Sequence, residues 1–341
     1  MPSQALEGLT TDSGWKITQR LDKPLGTGGN FCVRYFVENE NGETGFLKAM
    51  NFTDSMDDLV QLQKNVNEYL FECNILEHCK TKKLSRIVTP LDAGEIIVPN
   101  FPPKLNKVYY LIFEKAEGSL RDQHIEVQNK KWLPALKALH HVAVGIEQLH
   151  NIDIAHQDIK PSNVLAFIND DFKVADLGRV VDKNGTSPFC KLPFPGDHTY
   201  KSIEMFFGIQ DLQFITRRSC DMYMVGSLAY QIVEDIPINA SVLNEVRLID
   251  STVQRRPFQE ALPFLLTSFN TVLNRYEDKC CTLFGEKTAN SLTNIIREMC
   301  HPDPAQRGVV RFSDEVNRLS MRRYVTRLAN LIRSASIAGV K

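Results

Sequence analysis

The stretch Ile154-Ala155-His156-Gln157-Asp158-Ile159-Lys160-Pro161-Ser162-Asn163-Val164-Leu165 puts a carboxylate, a cation two residues on and an amide five residues on into one loop. One short strand later comes Val174-Ala175-Asp176-Leu177-Gly178, a second carboxylate followed by a glycine. Asn163 and Asp176 are oxygen donors flanking a β-turn pair, a set suited to Mg²⁺, which prefers hard donors and keeps several waters. The plainer reading is two polar turns capping a hairpin, and the presence of both elements at this spacing argues against it.

Working outward, Leu133, Leu136, Leu139, Val142, Ile146 and Leu149 form a 3.6-period stripe, so an amphipathic helix leads straight into the loop. Further upstream the pattern is extended. Residues 34–37 alternate weakly, Asn41-Gly42 is a favoured type I′ hairpin pair, and Phe46, Leu47, Lys48, Ala49 and Met50 form the return strand. From about Asp54 the period changes, with Leu59, Leu62, Val66, Leu70, Cys73 and Leu76 recurring as on a core-facing helix. Residues 87–88, 95–98 and 107–113 read as more strands. Helices are expected over residues 221–233, 289–299 and 313–332. A strand-rich first third therefore precedes a helix-rich remainder, with residues 114–119 as the joint, and two lobes at a short hinge commonly hold a ligand in their crevice.

Two upstream features bear on phosphate chemistry. In Leu25-Gly26-Thr27-Gly28-Gly29-Asn30-Phe31-Cys32-Val33 the glycines let backbone N–H groups approach a phosphate, although such a turn is usually an ordinary hairpin. Lys48, about twenty residues on, is placed to neutralise phosphate oxygens, and Glu72 on the inward face of the helix is a candidate partner. A solvent-facing lysine and a surface glutamate are the alternative.

Composition bounds the function. In 341 residues, 40 Lys and Arg oppose 41 Asp and Glu, a net charge of −1, so no global attraction to nucleic acid or acidic membrane is expected. The apolar share of 43% excludes wholesale disorder. No apolar run approaches the roughly 18 residues of a bilayer span, and Met1-Pro2-Ser3-Gln4 does not begin a secretory pattern. The expectation is a soluble, cytoplasmic chain whose eight cysteines, with no C-x-x-C pair, are reduced thiols.

With these residues in place, the chain resembles the eukaryotic-type (Hanks-type) serine/threonine protein kinases over roughly residues 20–320. Gly26 and Gly28 match the first two glycines of the Gly-rich loop, flanked by Leu25 and Val33; Lys48 and Glu72 match the strand lysine and its helix partner. Phe113 matches the gatekeeper, Glu114 and Ala116 fall where the family's hinge backbone groups hold adenine, and the resemblance implies that Leu165 is also a nucleotide-binding residue. His156, Asp158, Lys160 and Asn163 match the catalytic loop and Asp176-Leu177-Gly178 the magnesium-binding triplet. Ser202-Ile203-Glu204, Asp221, Gly226 and Arg307 match the framework of the larger lobe, which related small-molecule kinases lack.

The resemblance implies an α+β, bilobal fold: a small β-rich N-lobe with one main helix and a larger, mostly helical C-lobe. The implied boundaries are a flank at 1–13, the N-lobe at 14–114, the C-lobe at 115–320 and a basic helical tail at 321–341. It implies ATP and Mg²⁺, with Asp158, Lys160, Lys48 and Glu72 catalytic and Asn163 and Asp176 on the metal. The implied partners are protein substrates with Ser/Thr acceptors, the chain itself included. A nucleotide-binding pseudokinase or regulatory scaffold with little turnover is the alternative.

Departures from the pattern carry their own expectations. Gln157 stands where an arginine usually pairs with a phosphorylated activation-loop residue, so phosphorylation at Thr186 or Ser187 is not expected to be required. Asp197 replaces a threonine; it is expected to be able to pair with Lys160 and to repel ionised Asp158, either lowering activity or moving the pH optimum upward. Phe31 replaces the third glycine. Residues 196–204 also resemble some bacterial members of the family. His156 is expected to be structural, and His140, His141 and His150 to be helix-surface or cap residues. The tail carries Arg311, Arg318, Arg322, Arg323, Arg327 and Arg333, read as a basic helix packed on the larger lobe or, alternatively, as a dock for an acidic partner, nucleic acid or membrane.

Overall fold

The computed structural model describes residues 1–21, 32–52, 55, 58–103, 105–125 and 131–340. It divides into two compact units, Met1–Glu117 and Gly118–Lys341, with the division inside the stretch read as the joint rather than directly after Glu114.

In the first unit, β1 (Lys16–Leu21), β2 (Cys32–Glu38), β3 (Thr44–Met50), β4 (Pro90–Ile97) and β5 (Lys107–Glu114) form one antiparallel sheet in the order β1-β2-β3-β5-β4. Period 2 turns Leu47 and Ala49 into a core with Leu6, Trp15, Ile17, Tyr35, Val37, Tyr110 and Ile112, while Lys48 between them faces the other way. Residues 1–13 belong to this unit. Leu6 is fully buried in that core, and the Tyr35 hydroxyl donates to the Ser3 carbonyl at 2.7 Å. Ile87 and Val88 are buried just ahead of β4 instead of forming a strand of their own.

Helix α1 (Leu59–Thr81) starts at Asp58, whose carboxylate accepts from the N–H groups of Val60 and Gln61. The Tyr69 hydroxyl fastens it to the sheet by donating toward the carbonyls of Gly94 and Tyr110, at 3.1 and 3.0 Å.

In the second unit, β6 (Gly118–Ser119) and α2 (Leu120–Ile125) precede α3 (Trp132–His150), which buries the expected stripe of Leu136, Leu139, Val142, Ile146 and Leu149. After β7 (Ile154–Ala155) come the hairpin of β8 (Val164–Phe167) and β9 (Asp171–Val174) and then β10 (Val181–Asp182), which pairs with β7. Helix α4 (Phe214–Glu234) is buried nearly all round, as befits the centre of a large helical unit.

Helices α5 (Ile238–Ile249) and α6 (Phe258–Phe284) were not among the expected elements. In α6, Pro263 and many Thr, Asn and aromatic residues weaken the local signal; packing of Ala261, Leu265, Phe269, Val272, Tyr276 and Cys280 at helical spacing compensates. The chain continues through α7 (Glu286–Met299), the short α8 (Glu315–Arg318) and α9 (Arg322–Ile337). The single helix expected over 313–332 is thus broken ahead of Arg322. All eight cysteines are free thiols. Among the described residues no helix is long and apolar enough to cross a membrane.

The tail packs through α9 against α3 and α7. Its arginines are largely spoken for: Arg318 donates to the carbonyls of Pro304, Ala305 and Arg307, Arg327 pairs with Glu298 at 2.6 Å, and Arg323 lies over the Phe312 ring. Tyr324, Leu328, Leu331 and Ala335 are buried beneath. Leu328→Ala is therefore expected to cost about 2–5 kcal/mol in denaturant unfolding. A loss below about 1 kcal/mol would place α9 outside the cooperative core.

Candidate active site

Two sets of candidate residues exist, one in each unit, and each is assembled by its own local structure.

In the first unit, the alternation of β3 aims Lys48 at α1, where its Nζ lies 3.1 and 3.3 Å from the two oxygens of Glu72. Glu72 sits one turn beyond Tyr69, the residue that anchors α1 to the sheet, so the helix has little freedom to carry the carboxylate away. Glu72 is 7% exposed, and a carboxylate buried to that degree is costly without its cation. Val33 pairs with Ala49 beside Lys48, and Phe113 pairs with Phe46 at the end of β5. The side chain of Glu114 turns back to accept from the Thr89 N–H at 2.6 Å; Ala116 is half-buried just before the division. Leu25, Gly26 and Gly28, with Phe31, lie outside the described residues.

In the second unit, the loop after β7 is held from below by α4. Asp221 accepts from the N–H groups of His156 and Gln157 at 2.7 and 2.8 Å, from Gln157 Nε2 at 2.9 Å and from His150 Nε2 at 2.9 Å. Gln157 takes φ of 66°, a conformation that costs a non-glycine residue energy and is sustained here by those bonds. His156 is structural, as expected. Its Nδ1 accepts from the Asp158 N–H at 3.2 Å, which leaves the proton on Nε2, facing the Ala175 carbonyl at 3.1 Å. His150 is not a surface residue: it is buried against Asp221, and burial lowers its pKa.

Asp158 is fixed on both oxygens. Oδ1 accepts from the Asp197 N–H at 2.8 Å, and Oδ2 from Asn163 Nδ2 at 3.0 Å, with Lys160 Nζ 2.9 Å away. Asn163 Nδ2 also donates to the Asp158 carbonyl at 2.8 Å, while its amide oxygen accepts from the Ser162 hydroxyl at 3.4 Å. Lys160 lies 3.6 Å from the Asp197 carboxylate. Burial pulls the Lys160 pKa down, but Asp158, Asp197 and Asp176 outweigh it and the net shift is upward. Burial likewise opposes ionisation of Asp197, but the Thr199 N–H and Lys160 hold its carboxyl below the ordinary value. The expected pairing of Asp197 with Lys160 is present, and the repulsion of Asp158 is met by the backbone N–H that Asp197 donates to it.

The β8–β9 register, Val164 opposite Val174, sets Asn163 against Ala175, whose N–H donates to the Asn163 carbonyl at 2.9 Å. Asp176 follows, exposed, with φ of 64°; Leu165 lies on β8 between Ser119 and Lys173. Two oxygen donors on adjacent turns suit a hard cation. Among the described residues no three His, Cys, Asp or Glu side chains gather, so a cation held by Asn163 and Asp176 would need further ligands from outside the chain, as Mg²⁺, which keeps several waters, tolerates. The residues fit that ion.

Behind the loop, Arg307 meets Glu204 in a buried two-pronged pair at 2.9 and 2.7 Å and donates to Ser219 Oγ at 3.1 Å. Sequence reasoning missed Arg217. It lies one helical turn before Asp221, is fully buried, and donates to the carbonyls of Pro193, Leu192 and Cys190. The i, i+4 spacing to Asp221 was its only sequence signal.

A family model described as protein kinase domain matches residues 20–312. Mitogen-activated protein kinase 7 of Arabidopsis thaliana is 23% identical over 261 residues, 71% of this chain and 63% of that protein. Mitogen-activated protein kinase 6 of Oryza sativa subsp. japonica is 21% identical over 294 residues, 84% of this chain and 72% of that protein. A putative serine/threonine-protein kinase/receptor of Acanthamoeba polyphaga mimivirus is 34% identical over 111 residues, 29% of this chain and only 7% of that protein. The chain thus spans a small part of the viral relatives and less than two thirds of the Arabidopsis one.

The buried His150 makes stability depend on pH. Unfolded, its pKa is the ordinary 6.5; folded, it is lower, so below pH 6.5 the unfolded state binds more protons. Its contribution is complete above that value and falls as pH drops through the window down to the folded pKa. His301, lowered by burial, acts with the same sign. Urea unfolding at about pH 7.5 and about pH 5.5 is expected to show lower stability in acid, and His150→Gln to shrink the difference. An unchanged difference would remove His150 as its source.

Proposed function

The chain belongs to the protein kinase family, and from that premise we propose that it is an active cytoplasmic serine/threonine kinase, transferring the γ-phosphoryl group of ATP to hydroxyls of protein substrates with Mg²⁺. The observation that carries this reading is the fixing of Asp158 on both of its oxygens by Asn163, Lys160 and the Asp197 N–H. A base held in one rotamer is ready to orient an incoming hydroxyl without reorganising.

Phosphoryl transfer passes through a loose transition state, so the work of the chain is positioning and charge neutralisation. Asp158 accepts the proton of the substrate hydroxyl as its oxygen bonds to the γ-phosphorus and the bond to the ADP oxygen breaks. Lys160 offsets charge on the transferring group, and Lys48, oriented by Glu72, holds the α- and β-phosphates. Asn163 and Asp176 would hold Mg²⁺, which would neutralise phosphate charge there.

Preference for serine and threonine rests on Lys160, two residues after Asp158, and on the name of the mimivirus relative, a putative serine/threonine-protein kinase/receptor. A protein rather than a small-molecule acceptor is supported by the Glu204–Arg307 pair and Asp221, the framework behind the substrate shelf. Against a scaffold with little turnover stands the retention of Lys48, Asp158, Asn163 and Asp176 together.

Mg²⁺-dependent transfer of labelled γ-phosphate to a generic protein acceptor, with phosphoamino-acid analysis, tests the reading. The expected result is phosphoserine and phosphothreonine, with turnover cut at least about 10²-fold by Asp158→Ala and ATP binding retained. Glu72→Gln is expected to lower turnover less. Saturable ATP binding without any transfer by the wild type would overturn the enzyme reading.

A further inference from the structure

Gln157 is not turned toward the segment that follows the Asp176-Leu177-Gly178 triplet. It is fully buried and points back into α4, donating through Nε2 to the Asp221 carboxylate and to the Arg217 carbonyl at 2.8 Å. A cation that reaches that segment's backbone comes instead from α4. Arg217 Nη1 donates to the Pro193 carbonyl at 2.6 Å, and Nη2 to the carbonyls of Leu192 at 2.6 Å and Cys190 at 3.4 Å. The two terminal nitrogens of this fully buried guanidinium are spent on backbone carbonyls, and Nε is buried with no partner of its own, so the side chain holds the chain itself and has no solvent-facing edge for a phosphate.

What Arg217 grips leads directly to the catalytic loop. Gly196, only a few residues beyond Pro193, is packed so closely that a Cβ there would clash with the Gln157 carbonyl oxygen. The next residue, Asp197, donates its N–H to Asp158 Oδ1 and faces Lys160 with its carboxylate. Asp158, Gln157, Arg217, the 190–193 turn and Asp197 thus form a closed ring of covalent and hydrogen bonds.

The start of the segment is tied down in the same phosphate-free way. The Asp182 carboxylate accepts from the N–H groups of Thr186 and Ser187, at 3.1 and 2.6 Å, and the buried Ser187 hydroxyl donates to the Val180 carbonyl at 2.7 Å. A phosphate on Thr186 would sit against the Asp182 carboxylate, a like-charge contact that opposes order.

We propose that Arg217 is a positioning residue for phosphoryl transfer: its grip on the carbonyls of 190–193 sets Asp197 against Asp158 and replaces activation-segment phosphorylation. This rests on the kinase reading above and names how that site is regulated.

The experiment compares wild type, Arg217→Lys and Thr186→Ala in kinetics and in amide hydrogen exchange of the 190–197 peptide. A lysine keeps the charge but loses the fork. It is expected to lower kcat about 10- to 100-fold per folded molecule, leave KM for ATP within about twofold, and speed exchange over 190–197. Wild type treated with a protein phosphatase and Thr186→Ala are both expected to keep full activity. A folded Arg217→Lys protein with unchanged kcat and exchange overturns the proposal. So does a phosphatase-treated wild type that loses most activity and regains it on rephosphorylation, a measurement that stands even if Arg217→Lys does not fold. A wild type that transfers no phosphate at all defeats the kinase reading, whereas the exchange comparison still decides the role of Arg217.

Discussion

Asp221 has no exposed surface, and its two oxygens accept from four donors brought to it by two other segments: the backbone N–H groups of His156 and Gln157, the Gln157 amide and the His150 ring. A carboxylate in the middle of a buried helix is expensive unless its lone pairs are filled, and those bonds offset the cost. The same bonds hold Gln157 in its left-handed conformation and so determine where the next residue, Asp158, presents its carboxylate. Removing the acceptor would strand a ring, an amide and two backbone donors at once. The geometry of the loop therefore depends on α4 more than on the loop's own residues.

Two ion pairs of different character carry the remaining charge. Glu204 and Arg307 are both buried, and the pair is two-pronged; Arg307 is further satisfied by Ser219 and the His301 carbonyl. Burial opposes its charge, but Glu204 outweighs it and the pKa of Arg307 is raised. Such a pair specifies one arrangement and contributes little net stability. The Lys48 side chain is 23% exposed beside a buried Glu72, so it keeps some contact with solvent while its direction is set. The first pair suits a framework and the second suits a cation that must meet a ligand.

Asp197 shows how backbone can reverse the sign expected from a side chain. Read as a charge, it repels Asp158. Its N–H donates to Asp158 and its carboxylate is matched by Lys160, so the position supplies order to the Asp158 carboxylate. His150 is the opposite case, a polar residue at the end of an amphipathic helix that tertiary packing draws inward against Asp221.

The sequence by itself determined the β-then-α order, the strand that carries Lys48, and the grouping of Asp158, Lys160, Asn163 and Asp176, because these rest on period-2 and period-3.6 patterns and on spacings of a few residues. Glu72 opposite Lys48 was legible for the same reason, as an inward position on a clearly periodic helix. Tertiary structure alone decided the inward turn of Gln157, the burial of His150, the grip of Arg217 on Cys190, Leu192 and Pro193, and the helices α5 and α6. Gln157 meets Asp221 64 residues away, His150 meets it across 71, and Arg217 reaches back 24 to 27 residues to its carbonyls. A neutral amide, an imidazole and a guanidinium can each face solvent or core equally well on local grounds; which they do is settled by the partners that folding places beside them.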